Sequence, residues 1–331
     1  MNAARDVVAC FGEALIDFLA QPPKDDAAPR TFVEYAGGAP ANVAIGVARL
    51  GGSARFIGML GRDLFGGFLL REFARYGVDT AQARTTDAAR TALAFVSLDA
   101  RGERTFSFYR PPSADLLFGV DDFAAGAFDG VAALHVCSNS MTAPCSAAAT
   151  LHGMRLAADA GALVSMDLNL RPMLWDAGAD PRTVVWPALE RAHLVKLSRE
   201  ELVFLQHLGT EADVFARLFA AQARAVVVTD GAAPIRWCTR DASGVAPTHA
   251  VQPIDTTAAG DAFVAGLLHA LVRESVGAER LQHAFADDAQ RGRLLDYAAA
   301  AGALATTRHG AFAAMPADAD VRALLQHREL R

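Results

Sequence analysis

A run of small and polar residues leads directly into an apolar segment at residues 255–266, DTTAAGDAFVAG. The apolar pattern predicts a helix over residues 261–272, and Thr256 or Thr257 is expected to cap its start. Small side chains before the helix would leave backbone N–H groups of its first turn free, at Ala258, Ala259 and Gly260. Those donors, together with the positive end of the helix dipole, predict a binding site for a phosphate group.

Asp261 falls just inside the positive end of this predicted helix, so its carboxylate is expected to stay ionised beside a bound phosphoryl group. It could accept the proton of an attacking hydroxyl. Phosphoryl transfer needs alignment, charge neutralisation and one group that takes this proton. A capped core helix would have a similar sequence, so the segment alone leaves a purely structural role open.

A second glycine-rich segment, residues 35–63, contains a glycine pair that precedes another predicted helix, residues 40–50. Gly37 and Gly38 permit positive φ angles and the close approach of a ligand. Asn42, one turn into the helix, presents both a donor and an acceptor, which is the pairing that sugar hydroxyls require. Taken alone, a tight turn and helix packing would explain this segment equally well.

The composition excludes several classes of protein. The chain has 331 residues, of which 52% are apolar and 21% charged, as in an ordinary globular protein. A formal charge of -6 without a dense Lys/Arg cluster argues against nucleic-acid binding and favours a small-molecule substrate. The four cysteines form no CxxC pair, which predicts neither zinc nor disulfides and favours the cytoplasm. No apolar run is long enough to span a bilayer, so no membrane association is expected.

Short runs rich in Val, Leu and Ile predict strands that are buried on both faces: VVACF, ARFIGML, VAALHVC, ALVSMDL, HLVKLS and RAVVVT. Between them lie further predicted helices, at residues 64–76, 143–160 and 199–207. This alternation predicts a parallel sheet with helices on both faces. It also suits a dinucleotide-binding oxidoreductase or a P-loop ATPase, but neither GxGxxG after the first strand nor GxxxxGK[ST] is present.

Two stretches, residues 14–35 and 91–110, instead alternate apolar and polar residues, as half-exposed strands do. The DARGER sequence at 99–104 would be the turn of a hairpin, and residues 21–30 resemble a linker. Both stretches together predict a small β-sheet that serves as a lid. The main α/β domain would then comprise residues 1–13, 36–90 and 111–331.

Together, the segments at 35–63 and 255–266 resemble the paired signatures of the ribokinase-like (PfkB) family of carbohydrate kinases. The resemblance extends from Phe11 to Pro316. It implies a three-layer α/β/α sandwich with a mostly parallel central sheet, and ATP and Mg²⁺ as cofactors. It further implies that Asp261 is the catalytic base and that the small residues before it form the anion hole. A non-catalytic descendant that binds sugar or nucleotide is the rival reading, but only turnover requires the base.

The resemblance assigns further residues to the sugar and the nucleotide. GEALIDF places Asp17 where relatives hold sugar hydroxyls, together with Gly37, Gly38 and Asn42. KLSREE resembles the Lys-x-Asn-x-x-Glu element, so the resemblance implies nucleotide contacts from Lys196 and Ser198 and a water-mediated magnesium contact from Glu201. Ser198 and Glu201 are also spaced as a helix capping box, and both roles are compatible.

The resemblance also places a nucleotide-binding turn at Thr229 and Gly231, although Pro234 replaces a glycine that is usual there and removes an N–H. Gly310 would lie in the closing loop near the adenine. Relatives hold a monovalent cation beside the anion hole, which here would be K⁺ near Asp255 and Thr257. Lids of this family often pair between subunits, so a homodimer is expected.

The nature of the sugar is narrowed by RTFSFYRPPSADLLF and DLNLRPMLW, which resemble fructokinases and 2-keto-3-deoxygluconate kinases. Arg110 and Arg171 could face the substrate, and two arginines would suit a substrate carboxylate. Phe108 stands where the acid-sugar kinases tend to have a tyrosine, which favours the fructokinases. The sequence thus favours D-fructose, phosphorylated to fructose 6-phosphate. A 2-keto-3-deoxygluconate kinase is the first alternative, and another ribokinase-like sugar or nucleoside kinase is the second.

Overall fold

A computed structural model describes residues 5–21, 29–98 and 104–329. The strands of these residues are, in chain order, β1 Val7–Phe11, β2 Leu15–Ala20, β3 Phe32–Gly37, β4 Ser53–Gly61, β5 Asp79–Thr86, β6 Ala92–Leu98, β7 Arg104–Tyr109, β8 Val131–Cys137, β9 Leu163–Asp167, β10 Leu194–Ser198, β11 Ala225–Thr229, β12 Ile235–Cys238 and β13 Ser243–Ala246. The α-helices are α1 Ala39–Arg49, α2 Leu64–Arg75, α3 Pro144–Asp159, α4 Pro181–Leu189, α5 Arg199–Gln206, α6 Glu211–Ala220, α7 Ala259–Arg273, α8 Ala278–Ala286, α9 Asp288–Ala305 and α10 Asp318–Glu329.

The larger sheet has nine strands in the order β13-β12-β11-β10-β9-β8-β1-β4-β5. All neighbouring strands from β11 to β5 pair in parallel, and only β12 and β13 pair in an antiparallel way. Because its central strands are buried on both faces, they consist mostly of apolar residues, as in β1 and β11. The predicted ribokinase-like α/β fold with a large, mostly parallel sheet is confirmed.

Helices cover both faces of this sheet and form two separate apolar clusters. One cluster joins α1, α7 and α9 to the sheet, and the other joins α3, α4, α5 and α6 to its opposite face. The polar ends of the parallel strands lie at one edge of this sandwich, where ligands gather in open α/β folds.

The smaller sheet has four strands in the order β3-β2-β6-β7, with β2 and β6 parallel and the outer pairs antiparallel. Side chains alternate between its faces, so Asp17, Ala94 and Phe108 stand in register on one face. Phe18 and Phe95 stack on the opposite face, with their ring centroids 5.1 Å apart. These strands come from the two stretches in which the sequence predicted a separate sheet. Most of the DARGER turn and of the linker-like segment lies outside the described residues.

The start of α7 differs from the prediction. The helix begins at Ala259, two residues before the predicted start, and its N-cap residue is Ala258, which has a left-handed backbone with φ 59°. No side chain caps the helix, so the predicted cap from Thr256 or Thr257 is wrong. Instead the Thr257 N–H donates to Asp255 Oδ1 at 2.8 Å, and this bond orders the turn that precedes the helix.

Within the described ranges, none of the helices is both long and apolar enough to cross a membrane.

Candidate active site

A cavity of about 440 Å³ opens where the carboxyl ends of the parallel strands meet the inner face of the smaller sheet. We describe its lining as two sides, which we name after β1 and β10 because these strands lie at different positions in the larger sheet. The β1 side consists of Glu13, Leu15, Asp17, Gly38, Asn42, Phe108 and Asn139. The β10 side consists of Asp167, Arg171, Lys196, Ser198, Glu201, Thr229 and residues 256–260. Asp261 lies between the two sides. Its carboxylate accepts hydrogen bonds from Asn42, near the start of α1, and from Asn169, which follows β9.

The Asp261 carboxylate is held by two buried amides. Asn42 Nδ2 donates to its Oδ2 at 2.7 Å, and Asn169 Nδ2 donates to its Oδ1 at 3.2 Å. Burial raises the pKa of Asp261 to about 6, although the hydrogen bond from Asn42 acts in the opposite direction. A carboxylate that is fixed in orientation and has a pKa near neutrality is suited to accept a proton from a hydroxyl.

The first turn of α7 offers backbone donors beside this carboxylate. The Ala259 N–H makes a long bond of 3.3 Å to Thr256 O, so it is not fully free as the sequence predicted. In the part of the chain that the structure describes, the N–H groups of Gly260 and Asp261 have no backbone acceptor. Of these two donors, only Gly260 belongs to the predicted set of Ala258, Ala259 and Gly260. Together with the positive end of the helix, they form a geometry that suits an anion.

The ammonium group of Lys196 lies next to these donors. Its Nζ is 3.0 Å from Asp167 Oδ2, and a Cβ added at Gly260 would lie 3.2 Å from the same Nζ. Burial alone would lower the pKa of Lys196, but the carboxylates of Asp167 and Glu201 outweigh it and raise the pKa. The lysine is therefore a fixed positive charge at the start of α7, and the absence of a side chain at Gly260 gives it room.

Substitution of Gly260 by alanine is expected to lower kcat/KM for the phosphoryl donor by about tenfold to a hundredfold, because a small displacement of positioning groups is costly. The new methyl group must push the Lys196 ammonium by a few tenths of an ångström, away from the donors of α7. Steady-state kinetics with varied nucleotide would measure the loss. Gly292→Ala is the matched control, since a Cβ at this helical glycine meets no atom within 4 Å. An unchanged kcat/KM in Gly260→Ala would contradict the anion-site assignment.

Glu201 joins the cavity to the start of α5. Its Oε1 accepts the Leu170 N–H at 2.8 Å and its Oε2 accepts the Ser198 N–H at 2.7 Å. The Ser198 hydroxyl in turn accepts the Glu201 N–H at 3.2 Å, which completes a capping box. Burial, with the nearby charge of Asp167, raises the pKa of Glu201. Both residues line the cavity and cap the helix, so the two roles considered for them are geometrically compatible.

Most of the predicted sugar residues meet on the β1 side. Asp17, Gly38, Asn42 and Phe108 line the cavity, whereas Gly37 does not. A Cβ at Gly37 would lie only 2.3 Å from Asp17 Oδ2, so this glycine makes room for the carboxylate rather than touching the cavity. The Oδ1 atom of Asn42 is buried without a hydrogen-bond partner among the described residues, as is that of Asn139. These two carbonyl oxygens suit a ligand that donates hydroxyl hydrogens.

The two arginines proposed for the substrate have different surroundings. Arg171 is exposed, lines the cavity and lies close enough to Asp261 to oppose the rise of its pKa. Arg110 does not line the cavity: only 1% of its side chain is exposed, and it is paired with Asp115. The structure thus brings only one of the two arginines to the cavity.

The remaining predicted residues are spread along the edge of the sheet. Thr229 lines the cavity at the end of β11, but Gly231, with φ 52°, and Pro234 lie outside it. Gly310 donates its N–H to Asp255 Oδ2 at 3.2 Å. Both residues, with Thr257, line a small adjacent cavity. Within the described ranges, no group of three or more His, Cys, Asp or Glu residues could by itself hold a metal ion.

Sequence reasoning missed four polar residues of the cavity, namely Glu13, Asn139, Asp167 and Asn169. Asp167 and Asn169 lie in DLNLR, from which only the arginine was selected. Their position at the end of a predicted buried strand was the available signal.

A buried carboxylate aimed at a helix start that binds anions, beside a fixed lysine, defines a site for phosphoryl transfer to an alcohol. The family model for pfkB family carbohydrate kinases matches residues 5–318, so the chain belongs to this family and is a sugar kinase, as the sequence predicted. Its relatives include fructokinases. Fructokinase-1 of Zea mays is 40% identical over 335 residues, which cover 98% of this chain and 99% of that protein.

Solved structures agree with this classification. The crystal structure of a fructokinase with bound ATP from Xylella fastidiosa is 49% identical, with a TM-score of 0.94, and the match covers 98% of this chain and 99% of that one. A fructokinase from Vibrio cholerae O395, in a form with fructose, ADP and calcium ion bound, is 32% identical with a TM-score of 0.82 over 97% of this chain and 99% of that one.

Proposed function

We propose that this protein is an ATP-dependent fructokinase that transfers the γ-phosphoryl group of ATP to D-fructose and forms fructose 6-phosphate. The single observation that carries the proposal is the Asp261 carboxylate, fixed by Asn42 and Asn169 at the start of α7. Fructokinases from a plant and from bacteria match nearly the whole chain, and those from Xylella fastidiosa and Vibrio cholerae were solved with ATP, or with fructose and ADP. The proposal therefore joins the site's chemistry to the substrates of its relatives.

In the proposed reaction, Asp261 accepts the proton of the attacking hydroxyl as that oxygen bonds to the phosphorus. The N–H groups at the start of α7 hold the oxygens of the transferring group. Lys196 and Arg171 contribute positive charge on the β10 side of the cavity. In the proposed complex, this positive charge offsets the negative charge of the ATP phosphates. Asp17, Asn42 and Asn139 orient the sugar on the β1 side.

Magnesium fits the β10 side as an ion held mainly by the phosphates of ATP, with Glu201 acting through a water molecule. Each oxygen of Glu201 accepts one backbone N–H, which leaves an acceptor site on each for such a water. When bound, the ion would neutralise phosphate charge. A potassium ion near Asp255 and Thr257 is part of the same proposal, supported by the small cavity that these residues share with Gly310.

We also infer that the smaller sheet acts as a lid that excludes water, and that two lids pair in a homodimer. The lid has one face on the cavity, and its other face has the stacked rings of Phe18 and Phe95. Tyr109, whose ring is 5.3 Å from that of Phe95, is 68% exposed. Exposed apolar surface of this kind favours association with another protein surface, here the lid of a second subunit. The four cysteines are free thiols, which supports a cytoplasmic location.

A coupled assay of ADP release over fructose, 2-keto-3-deoxygluconate, ribose, glucose and adenosine tests the proposal. Fructose is expected to give the highest kcat/KM. A clear preference for the keto acid would overturn the choice of fructose and leave the kinase class intact. No ADP release with any acceptor, from protein that is folded by circular dichroism, would overturn the proposed activity.

A further inference from the structure

A buried ion pair follows the end of β7 and is linked through Thr142 to Asn139 on the β1 side of the cavity. Arg110 Nε and Nη2 both donate to Asp115 Oδ2, at 2.9 and 2.5 Å. Only 1% of the arginine side chain and 3% of the aspartate side chain are exposed. Ser113 donates to the other oxygen of Asp115 at 2.6 Å, and Arg110 Nη1 donates to Thr142 at 3.4 Å. The guanidinium is therefore engaged by the protein itself.

The cavity wall on the β1 side carries the carboxylate of Glu13, of which only 2% is exposed. Its Oε1 accepts from the Ala39 N–H and from Asn139 Nδ2, both at 3.3 Å, and its Oε2 accepts from the Ser140 hydroxyl at 3.1 Å. The Cys137 thiol lies 3.8 Å from both oxygens as a fourth donor. All four donors are neutral. The carboxylate is thus oriented by hydrogen bonds, and none of them comes from a positive charge.

Arg110 is the cation that could compensate Glu13. Burial would lower the pKa of Arg110, but the charges of Asp115 and Glu13 outweigh it and raise the pKa, with Asp115 the stronger influence. Arg110 is thus close enough to both carboxylates to interact with their charge. Two of its guanidinium nitrogens donate to Asp115, and the third donates to Thr142, whose hydroxyl donates to the carbonyl of Asn139, the residue that also donates to Glu13. Asp17 adds another carboxylate to the same wall, whereas the cations that line the cavity among the described residues, Lys196 and Arg171, lie on the β10 side.

From this distribution of charge we infer that Asp115 determines substrate specificity: it neutralises Arg110, so that Glu13 keeps the β1 side of the cavity negative, which admits neutral sugars and rejects sugar acids. The inference rests on the proposed function, since it assumes that the sugar binds on the β1 side. The inference gives a physical reason why the cavity would reject a substrate carboxylate although Arg110 lies close to its wall.

Replacing Asp115 with asparagine tests the inference. The new amide keeps the shape and an acceptor oxygen for Arg110 but removes the negative charge, so the guanidinium would offset Glu13 instead. Dissociation constants for D-fructose and 2-keto-3-deoxygluconate are measured by calorimetry in the presence of a non-hydrolysable ATP analogue. The ratio of the two constants is expected to move about tenfold towards the acid, which is the order of one unit charge acting across several ångströms. Asp159→Asn, which removes the same charge from an exposed pair with Arg155, should leave the ratio unchanged.

A second variant keeps the test decisive if Asp115→Asn does not fold. Glu13→Gln removes the cavity charge directly and should shift the same ratio in the same direction. If Asp115→Asn folds and retains the wild-type ratio, the inference is overturned, whatever Glu13→Gln does. If Asp115→Asn does not fold, a wild-type ratio in Glu13→Gln overturns it. This outcome is distinct from a failure of the proposed function, which would appear as an absence of fructose turnover in the wild-type protein.

Discussion

Asp261→Asn is expected to lower kcat about a thousandfold, with little change in the dissociation constant of the sugar, because general-base catalysis typically contributes a factor of this order. The amide has nearly the shape of the carboxylate but cannot accept the proton of the attacking hydroxyl. Its oxygen can still accept a hydrogen bond from Asn42 or Asn169. Single-turnover kinetics together with calorimetric sugar binding would separate the two effects.

The same variant should be at least as stable as the wild-type protein, which excludes unfolding as the cause of the loss. Folding raises the pKa of Asp261 from 3.8 to about 6, because burial disfavours the charged form. The folded state therefore binds this proton more tightly. The ionised Asp261 therefore lowers the free energy of unfolding. This effect is absent below pH 3.8 and fully present above about pH 6. At neutral pH it is about 3 kcal/mol, an upper bound on the gain because the asparagine NH2 group cannot accept one of the two amide hydrogen bonds.

Two further measurements test the role of Asp261. In the wild-type protein, kcat should fall as the pH decreases through about 6, because Asp261 takes up a proton. The residual kcat of Asp261→Asn should lack this dependence. Asp87→Asn, which neutralises an exposed carboxylate paired with Arg62, is the control and should retain both the rate and the pH profile. Wild-type turnover in Asp261→Asn would refute the assignment of the base.

The sequence predicted those elements whose composition is determined by burial alone. β8 and β11 are covered on both faces, so nearly all their residues are apolar, with His135 in β8 and Thr229 in β11 as the exceptions, and a short apolar run identifies them. β12 and β13 lie at the edge of the sheet, where IRWC and SGVA alternate exposed and buried residues over only four positions. Such short segments have no clear period. The pairing of β12 with β11, and of β13 with β12, became visible only in the structure.

In the site, local motifs located the residues that act through their own backbone or helix, such as Gly260 and Asp261. They did not show that Asn169 donates to Asp261, because this contact joins residues 92 positions apart and depends on how α7 packs beside β9. The prediction for Arg110 lacked a different kind of information, namely the partner of the side chain. The motif gave the residue type, but the Asp115 carboxylate five residues later pairs with the guanidinium within the protein.

Buried charge was the property least visible in the sequence. Glu13 and Asp167 are each 2% exposed. The position of Asp167 at the end of a buried strand hinted at its place in the site, but no local pattern showed that either carboxylate is buried. Their burial is tolerated because hydrogen-bond donors converge on them: Asn139 and Ser140 on Glu13, and Lys196 on Asp167. Such compensation comes from distant parts of the chain, so it follows from tertiary packing and not from local propensity.

Lys196→Met is expected to lose both stability and activity. The substitution leaves Asp167 buried without its ion-pair partner, and breaking a buried pair in this way typically destabilises by about 3–5 kcal/mol. The raised pKa of Asp261 should rise further, since Lys196 opposes the effect of burial on that group. Because the positive charge beside Gly260 is also removed, kcat should fall by about a hundredfold or more. Urea denaturation and steady-state kinetics would measure the two losses.

The double variant Lys196→Met/Asp167→Asn separates the structural contribution of the lysine from its role in the reaction. Removing the unpaired charge should restore most of the stability, because a neutral amide is far less costly to bury than an ion. Activity should stay low, since the cation beside the phosphate donors is still missing. Arg199→Met, which breaks an exposed ion pair with Asp230, should change stability by less than about 1 kcal/mol. If the double variant regained wild-type kcat, the charge of Lys196 would matter for folding alone, and phosphate neutralisation on the β10 side would have to come from Arg171.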